Sequence, residues 1–201
     1  MFFKIRKGLA ESISLAETVK ELDGMIFRSR PGEVYIVEDR KMCENKVIFY
    51  LPEYFSYIIC QKEFKKNFNE YKRSLLKAYP YNEEREIEKA VIVGIASHEV
   101  RHRVQREFKV HLFSPENAKI LIPASRVETI LKITKNSDRE FDAACIELIT
   151  VGLWLGGENN LSRIAEIVRE DCQKIIKRVT PSFYFIFIYS IIFFQTRTFF
   201  T

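Results

Sequence analysis

Two of this chain's three histidines fall four residues apart around a glutamate, in Gly94-Ile95-Ala96-Ser97-His98-Glu99-Val100-Arg101-His102-Arg103-Val104-Gln105. On a helix, residues four apart lie one above the other on one face. His98 and His102 would then aim two imidazoles at one spot. That arrangement suits a tetrahedral Zn²⁺, which takes neutral imidazole nitrogen at about 2.0–2.1 Å. Glu99 lies beside the pair, within reach of a water at such a site, in the position of a general base. Val93, Ala96, Val100 and Val104 recur at helical period on roughly the opposite side. The stretch therefore predicts a helix with one buried side and one side turned to a site. An ordinary helix with two polar histidines on a solvated face is the competing reading.

The rest of the chain supplies the frame. Its 201 residues, 47% hydrophobic and 29% charged, are enough for one globular domain with a core, or for a domain and a tail. A net charge of +5 permits an acidic partner without demanding one. Leu9, Ile13, Ala16, Val19 and Leu22 predict an amphipathic helix closed by Asp23-Gly24, with a strand over 25–30 before the Pro31-Gly32 turn. Glu33 to Glu38 and Lys46 to Leu51 read as a β-hairpin, and one of its strands could form the rim of a cleft. Pro52 opens a long predicted helix to about Tyr79. The charged run from Lys62 to Lys72, interrupted by Glu63 and Glu70, reads as its solvated face. Asn82 can cap the motif helix, which runs to about Phe108. Lys109 to Phe113 could be a short strand. A helix over 125–135, one from Arg139 to about Leu155 stopped by Gly156-Gly157, and one over 162–178 follow.

The downstream helix offers Glu140, Asp142 and Glu147 as further carboxylates. Here the chain resembles the gluzincins, the thermolysin-like clan of zinc metallopeptidases. The resemblance covers His98 to Glu147 and rests on His-Glu-x-x-His together with Glu140 and Ala143. It implies that Glu140 completes a Zn²⁺ site with His98 and His102, that Glu99 is the catalytic base, and that the substrate is a peptide or protein. Departures are Ala144, where the clan often has Asp, and the charged Arg101 and Arg103, which project off the metal face. Ser137-x-x-Glu140 is also a capping box, which would account for Glu140 without a metal. Glu147, two turns further on, is the alternative third ligand or a carboxylate that orients a histidine. His111 does not fit a metzincin-like ligand spacing. His111, Tyr79, Tyr81 and Arg139 are all open as donors to an oxyanion.

The expectation is an α+β fold: a mainly helical, zincin-like domain over residues 1–180 with a small antiparallel sheet, then an apolar tail over 181–201. Phe183 to Phe194 falls short of the ~20 residues of a membrane span. A buried element, an interfacial anchor and a non-native end of the reading frame stay open for it. Cys43, Cys60, Cys145 and Cys172 are scattered. With no apolar N-terminal core for a signal peptide, they read as thiols of a cytoplasmic protein. Nucleic acid is not expected as a partner, because Asp138, Glu140, Asp142 and Glu147 would repel phosphate. The alternative to an enzyme is an inactive protease-like domain that binds or regulates a partner.

Overall fold

The computed structural model describes residues 7–38, 40–44, 46–109, 111–119 and 122–156. The expected helix over 162–178 and the apolar tail lie outside them. In chain order the elements are α1 (Lys7–Ile26), β1 (Glu33–Val37), α2 (Arg40–Cys43), β2 (Ile48–Leu51), β3 (Ser56–Cys60), α3 (Gln61–Ala78), α4 (Glu84–Phe108), α5 (Pro115–Ala118), α6 (Ala124–Ile133) and α7 (Asp138–Gly156). The described residues are mostly helical, with one three-stranded mixed sheet, so the coarse α+β class holds.

The sheet departs from the expected hairpin. Its order is β1-β3-β2, with β1 parallel and β2 antiparallel to β3. The two predicted strands exist but do not pair with each other. The strand between them, Ser56–Cys60, falls where the sequence predicts a helix opened by Pro52. Its residues are buried on both faces, so it has no alternation of polar and apolar to show, and a short unbroken apolar run reads equally well as buried helix. Tyr57 and Ile59 join the main core with α1, α3 and α4, while Ile58 and Cys60 face a small cluster with Cys43.

Two cysteines depart from expectation as well. Cys43 and Cys60 are disulfide-bonded, tying α2 to the end of β3. A disulfide belongs to oxidising surroundings, so the inference from scattered thiols to the cytoplasm does not hold for this pair. Among the described residues, Cys145 is a free, buried thiol. No helix among them is long and apolar enough to cross a membrane.

The helix α4 runs through the middle of the structure, packed against α1, α3, β2 and α7. The apolar side predicted for it is present: Val93, Ala96, Val100 and Val104 are all buried. Its start differs from expectation. Glu83, not Asn82, is the N-cap residue, and the Asn82 amide instead donates to the carbonyl of Leu155 at the end of α7. The contact with α7 is close at Gly94, where a Cβ would stand 2.7 Å from Val151 Cγ2. Only glycine lets the two helices approach so nearly at that point.

Arg101 and Arg103 leave the metal face as expected, but they enter the core, and both are wholly buried. Arg101 Nε donates to Asp142 Oδ2 at 2.7 Å. Arg103 Nη1 donates to both oxygens of Asp23, at 2.9 and 2.8 Å, its Nε to Glu107 at 2.7 Å, and its Nη2 to the carbonyl of Arg30. Asp23 also accepts from the Gly32 amide and the Tyr57 hydroxyl. Asp23 is thus a core residue inside α1, which continues through Gly24 to Ile26, and the expected strand over 25–30 is instead the end of this helix and the turn that follows it. Removing one partner of a buried ion pair leaves an uncompensated charge, typically at a cost of ~3–5 kcal/mol. Asp23→Asn should therefore lower the unfolding free energy by about that amount in denaturant melts. A loss of under ~0.5 kcal/mol, the range of ordinary surface changes, would mean that the pair does not brace the core.

Candidate metal site

His98 and His102 stand one turn apart on α4, with ring centroids 4.9 Å apart and planes at 80°. Glu140 comes from the first turn of α7. Its Oε2 lies 3.4 Å from His102 Nε2 and 3.7 Å from His98 Nε2. Among the described residues, these three form the one group of side chains suited to holding a metal ion, with donor atoms within 4.8 Å of one another. Tetrahedral bonds of 2.0–2.1 Å place ligand atoms about 3.3 Å apart, so the two shorter separations are close to what zinc needs. His102 is buried, His98 half-buried and Glu140 exposed, which leaves the cluster open to solvent on one side.

The far side of each ring has its own partner. His98 Nδ1 is 2.9 Å from Glu147 Oε2. A carboxylate can only accept, so Nδ1 carries the hydrogen and Nε2 is the nitrogen facing Glu140. His102 Nδ1 is 3.0 Å from Gln105 Oε1. Glu147 is therefore not part of the ligand cluster. It sits behind His98, where it also accepts from Tyr71, in the arrangement that commonly orients a metal-binding histidine. Asp142, another of the α7 carboxylates, is fully buried. It takes Arg101, the Gln105 amide and the backbone N–H groups of Leu112 and Phe113.

Glu140 can be told from a pure capping residue by its neighbours. Ser137 Oγ does accept from the Glu140 amide, at 3.4 Å. In a capping box the glutamate side chain would return to the Ser137 amide. That amide already donates to the carbonyl of Thr134 at 3.0 Å, and the Glu140 carboxylate points at the histidines instead. The two histidines hold Glu140 well below the usual carboxylate range.

Glu99 is buried beside the cluster, and its Oε1 accepts from the Tyr50 amide on β2 at 2.8 Å. The strand register explains why that amide is available. Cys60 N donates to Val47 O, and antiparallel pairs alternate between bonded and non-bonded. The Tyr50–Tyr57 pair is then non-bonded, and the Tyr50 N–H points away from β3 toward α4. Burial pushes the Glu99 carboxyl up, against the two histidines and the Tyr50 amide, which favour its charge.

Of the donors left open for an oxyanion, Arg139 touches a site histidine, with Nε 3.1 Å from His102 Nδ1. Tyr81 is fully exposed, and His111 is exposed in the segment after α4. Tyr79 lines a cavity of about 510 Å³ between α3, the start of α6 and α7, along with Tyr71, Leu75, Arg126, Leu148 and Ile149. Residues at the site that the sequence reading passed over are Gln105, Tyr50 and Tyr71. Gln105 carried a signal, since it lies three positions after His102, one turn along the same face. Tyr50 acts through its backbone, which no side-chain motif reveals.

No protein-family model, curated protein or solved structure matches this chain.

Without metal, burial lowers the His98 pKa, but the hydrogen bonds to Glu140 and Glu147 outweigh it and carry the ring up to about 10. A pKa raised on folding contributes stability that is complete below the unfolded value, about 6.5, and lost as pH rises through the folded one. A metal must displace that same proton. Metal-free protein should therefore lose stability from about pH 6.5 to about 10, while Zn²⁺ affinity climbs across the same window. Paired melts and chelator-competition titrations check this. Zinc affinity flat from about pH 6.5 to 9 would remove His98 from the ligand set.

Proposed function

We propose that this chain is a zinc-dependent metallopeptidase with His98, His102 and Glu140 as metal ligands and Glu99 as general base. The reading is carried by one observation: two imidazole Nε2 atoms and one carboxylate oxygen converge, while Glu147 and Gln105 hold the opposite nitrogens. Three protein ligands with a solvent-open side are the pattern of a catalytic rather than a structural zinc site. When bound, the metal supplies Lewis-acid polarisation of a carbonyl and a water of lowered pKa.

The remaining steps belong to the protein. Glu99, fixed by the Tyr50 amide at one oxygen, has the other oxygen to take a proton from the attacking water. It then delivers that proton to the departing amine. Arg139, exposed and beside His102, is the positive group nearest to hand for the negative charge of a tetrahedral intermediate. Peptide bonds are the substrate class that the resemblance to the gluzincins implies, and a water nucleophile, a general base and a polarised carbonyl suit amide hydrolysis.

Purified protein should hold about one zinc per chain, measured by elemental analysis, and should cleave members of a mixed peptide library. Glu99→Gln should keep the metal and lose about 10²–10⁴-fold in hydrolysis. Stoichiometric zinc with no hydrolysis of any peptide would instead favour the protease-like binding module. Absence of zinc after loading would defeat both the metal site and the enzyme.

Glu140→Gln separates ligand from cap, because glutamine can still serve in a capping box but is a poorer zinc ligand. It should cause a large loss of zinc affinity with little change in the melting of the metal-free protein. Glu147→Gln should lose less, about 10–100-fold, as expected for a group that orients a ligand. The reverse order would hand the third-ligand role to Glu147.

A further inference from the structure

The outer face of α3 carries one sign of charge. At about 100° per residue, the buried Phe64, Phe68 and Leu75 fall with Tyr71 within roughly 60° of one another and face the core. Lys62, Lys65, Lys66, Arg73 and Lys77 are all exposed, and they fall within about 120° on the opposite side. With Asn69 they form a stripe that contains no acid and is about 22 Å long, at 1.5 Å per residue. Lys72, on one flank, pairs with Glu84 and Glu88, whereas among the described residues the five cations of the stripe enter no ion pair. The two acids that interrupt the run in the sequence lie on the other flank. Glu63 and Glu70 stand about 70–90° round the helix from the centre of the stripe. Glu63 is in the first turn, where a carboxylate complements the helix dipole.

Such an array works against the helix that bears it. Lys62 and Lys66, and Arg73 and Lys77, are like charges four residues apart, which weakens a helix. They point away from the core, so packing gives nothing in return. An anionic surface laid against the stripe would turn this repulsion into binding.

Shape chooses among anionic partners. A nucleic-acid groove embraces a helix from both flanks and would set phosphates against Glu63 and Glu70. A flat surface meets the stripe alone. The groups suited to reading bases are turned back on their own helix: Asn69 Nδ2 donates to the Lys65 carbonyl at 2.9 Å, and Arg73 Nε to the Asn69 carbonyl at 3.2 Å. What stands outward is mainly lysine ammonium, a compact point charge on a flexible stem. No aromatic ring lies within the stripe to stack a base.

We propose that the α3 stripe is a docking face for a bilayer surface rich in anionic lipid. The attraction is electrostatic and needs no insertion, because the apolar side of α3 is already packed in the core. It does not depend on the metal-site reading.

The test is sedimentation of the full chain with vesicles. Binding should be strong on vesicles of one part phosphatidylserine to two parts phosphatidylcholine, and much weaker on phosphatidylcholine alone. It should collapse as salt rises from about 0.1 M to about 1 M, which shortens the Debye length from about 10 to about 3 Å. Each basic group near an anionic bilayer strengthens binding about fivefold. The triple variant Lys65→Gln, Arg73→Gln, Lys77→Gln should therefore bind the anionic vesicles roughly 100-fold more weakly. Glutamine is about as good a helix former as lysine or arginine, so the melting temperature should not fall. Lys20→Gln, Lys119→Gln, Lys132→Gln removes the same net charge from other exposed positions and should lose far less. The apolar run over 183–194 offers no confusion, since attachment through it would be indifferent to lipid charge. The proposal is overturned if anionic and neutral vesicles bind alike, or if the two triple variants lose equally. It is overturned as well if a random-sequence DNA duplex, at equal anionic charge, holds the chain more tightly than the vesicles do.

Discussion

Everything about the candidate site depends on how α4 is rotated, and that rotation is held by two buried guanidinium groups. Arg101 and Arg103 are two residues apart, so they leave the helix about 200° from each other. One is bound to Asp142 on α7 and the other to Asp23 on α1. Turning the helix would strip a wholly buried charge of its carboxylate, among the costlier defects a core can contain. Buried pairs add little net stability over a well-packed apolar core. What they supply here is registry, since His98, His102 and Glu99 keep their bearing only while both clamps are closed.

The same network runs outward into the site. Asp142 pairs with Arg101 and also fixes the Gln105 amide, which fixes His102. Glu147 fixes His98 and receives Tyr71 from α3. Each histidine is therefore tied through one intermediate side chain to a helix other than its own. Gly94 lets α7 come near enough for this, because its missing Cβ leaves room beside Val151 and Glu147. Orientation from behind is what keeps a ligand ring from sampling unproductive rotamers, and it needs rigid elements behind it.

The helices that carry the site were readable from the sequence because α4 and α7 are long and the ligand spacing matches helical geometry. Spacing and resemblance single out the histidine pair, the neighbouring glutamate and the carboxylate of the next long helix; His98, His102 and Glu140 cluster, and Glu99 is buried on the same helix, bound to the Tyr50 amide. What was not legible has specific causes. The strand β3 is buried on both sides and has no period to detect. Asp23-Gly24 has the composition of a turn, yet Asp23 is a core acceptor, and only the partners that reach it from distant positions reveal that. Arg101 and Arg103 looked like blemishes on a metal motif because their carboxylates, 41 and 80 residues away, cannot be seen from within the helix. The Cys43–Cys60 bridge could not be chosen among the pairings that four cysteines allow.

The hydrogen bond from Tyr50 to Glu99 has a consequence for the sheet as well as for the carboxyl. β2 lies at the margin of the sheet, and its outward amide groups are the kind of template on which another extended chain assembles. Glu99 occupies one of them. With α4 packed on β2, this position of the margin is closed, and a residue with no acceptor at position 99 would leave the Tyr50 amide buried without a partner.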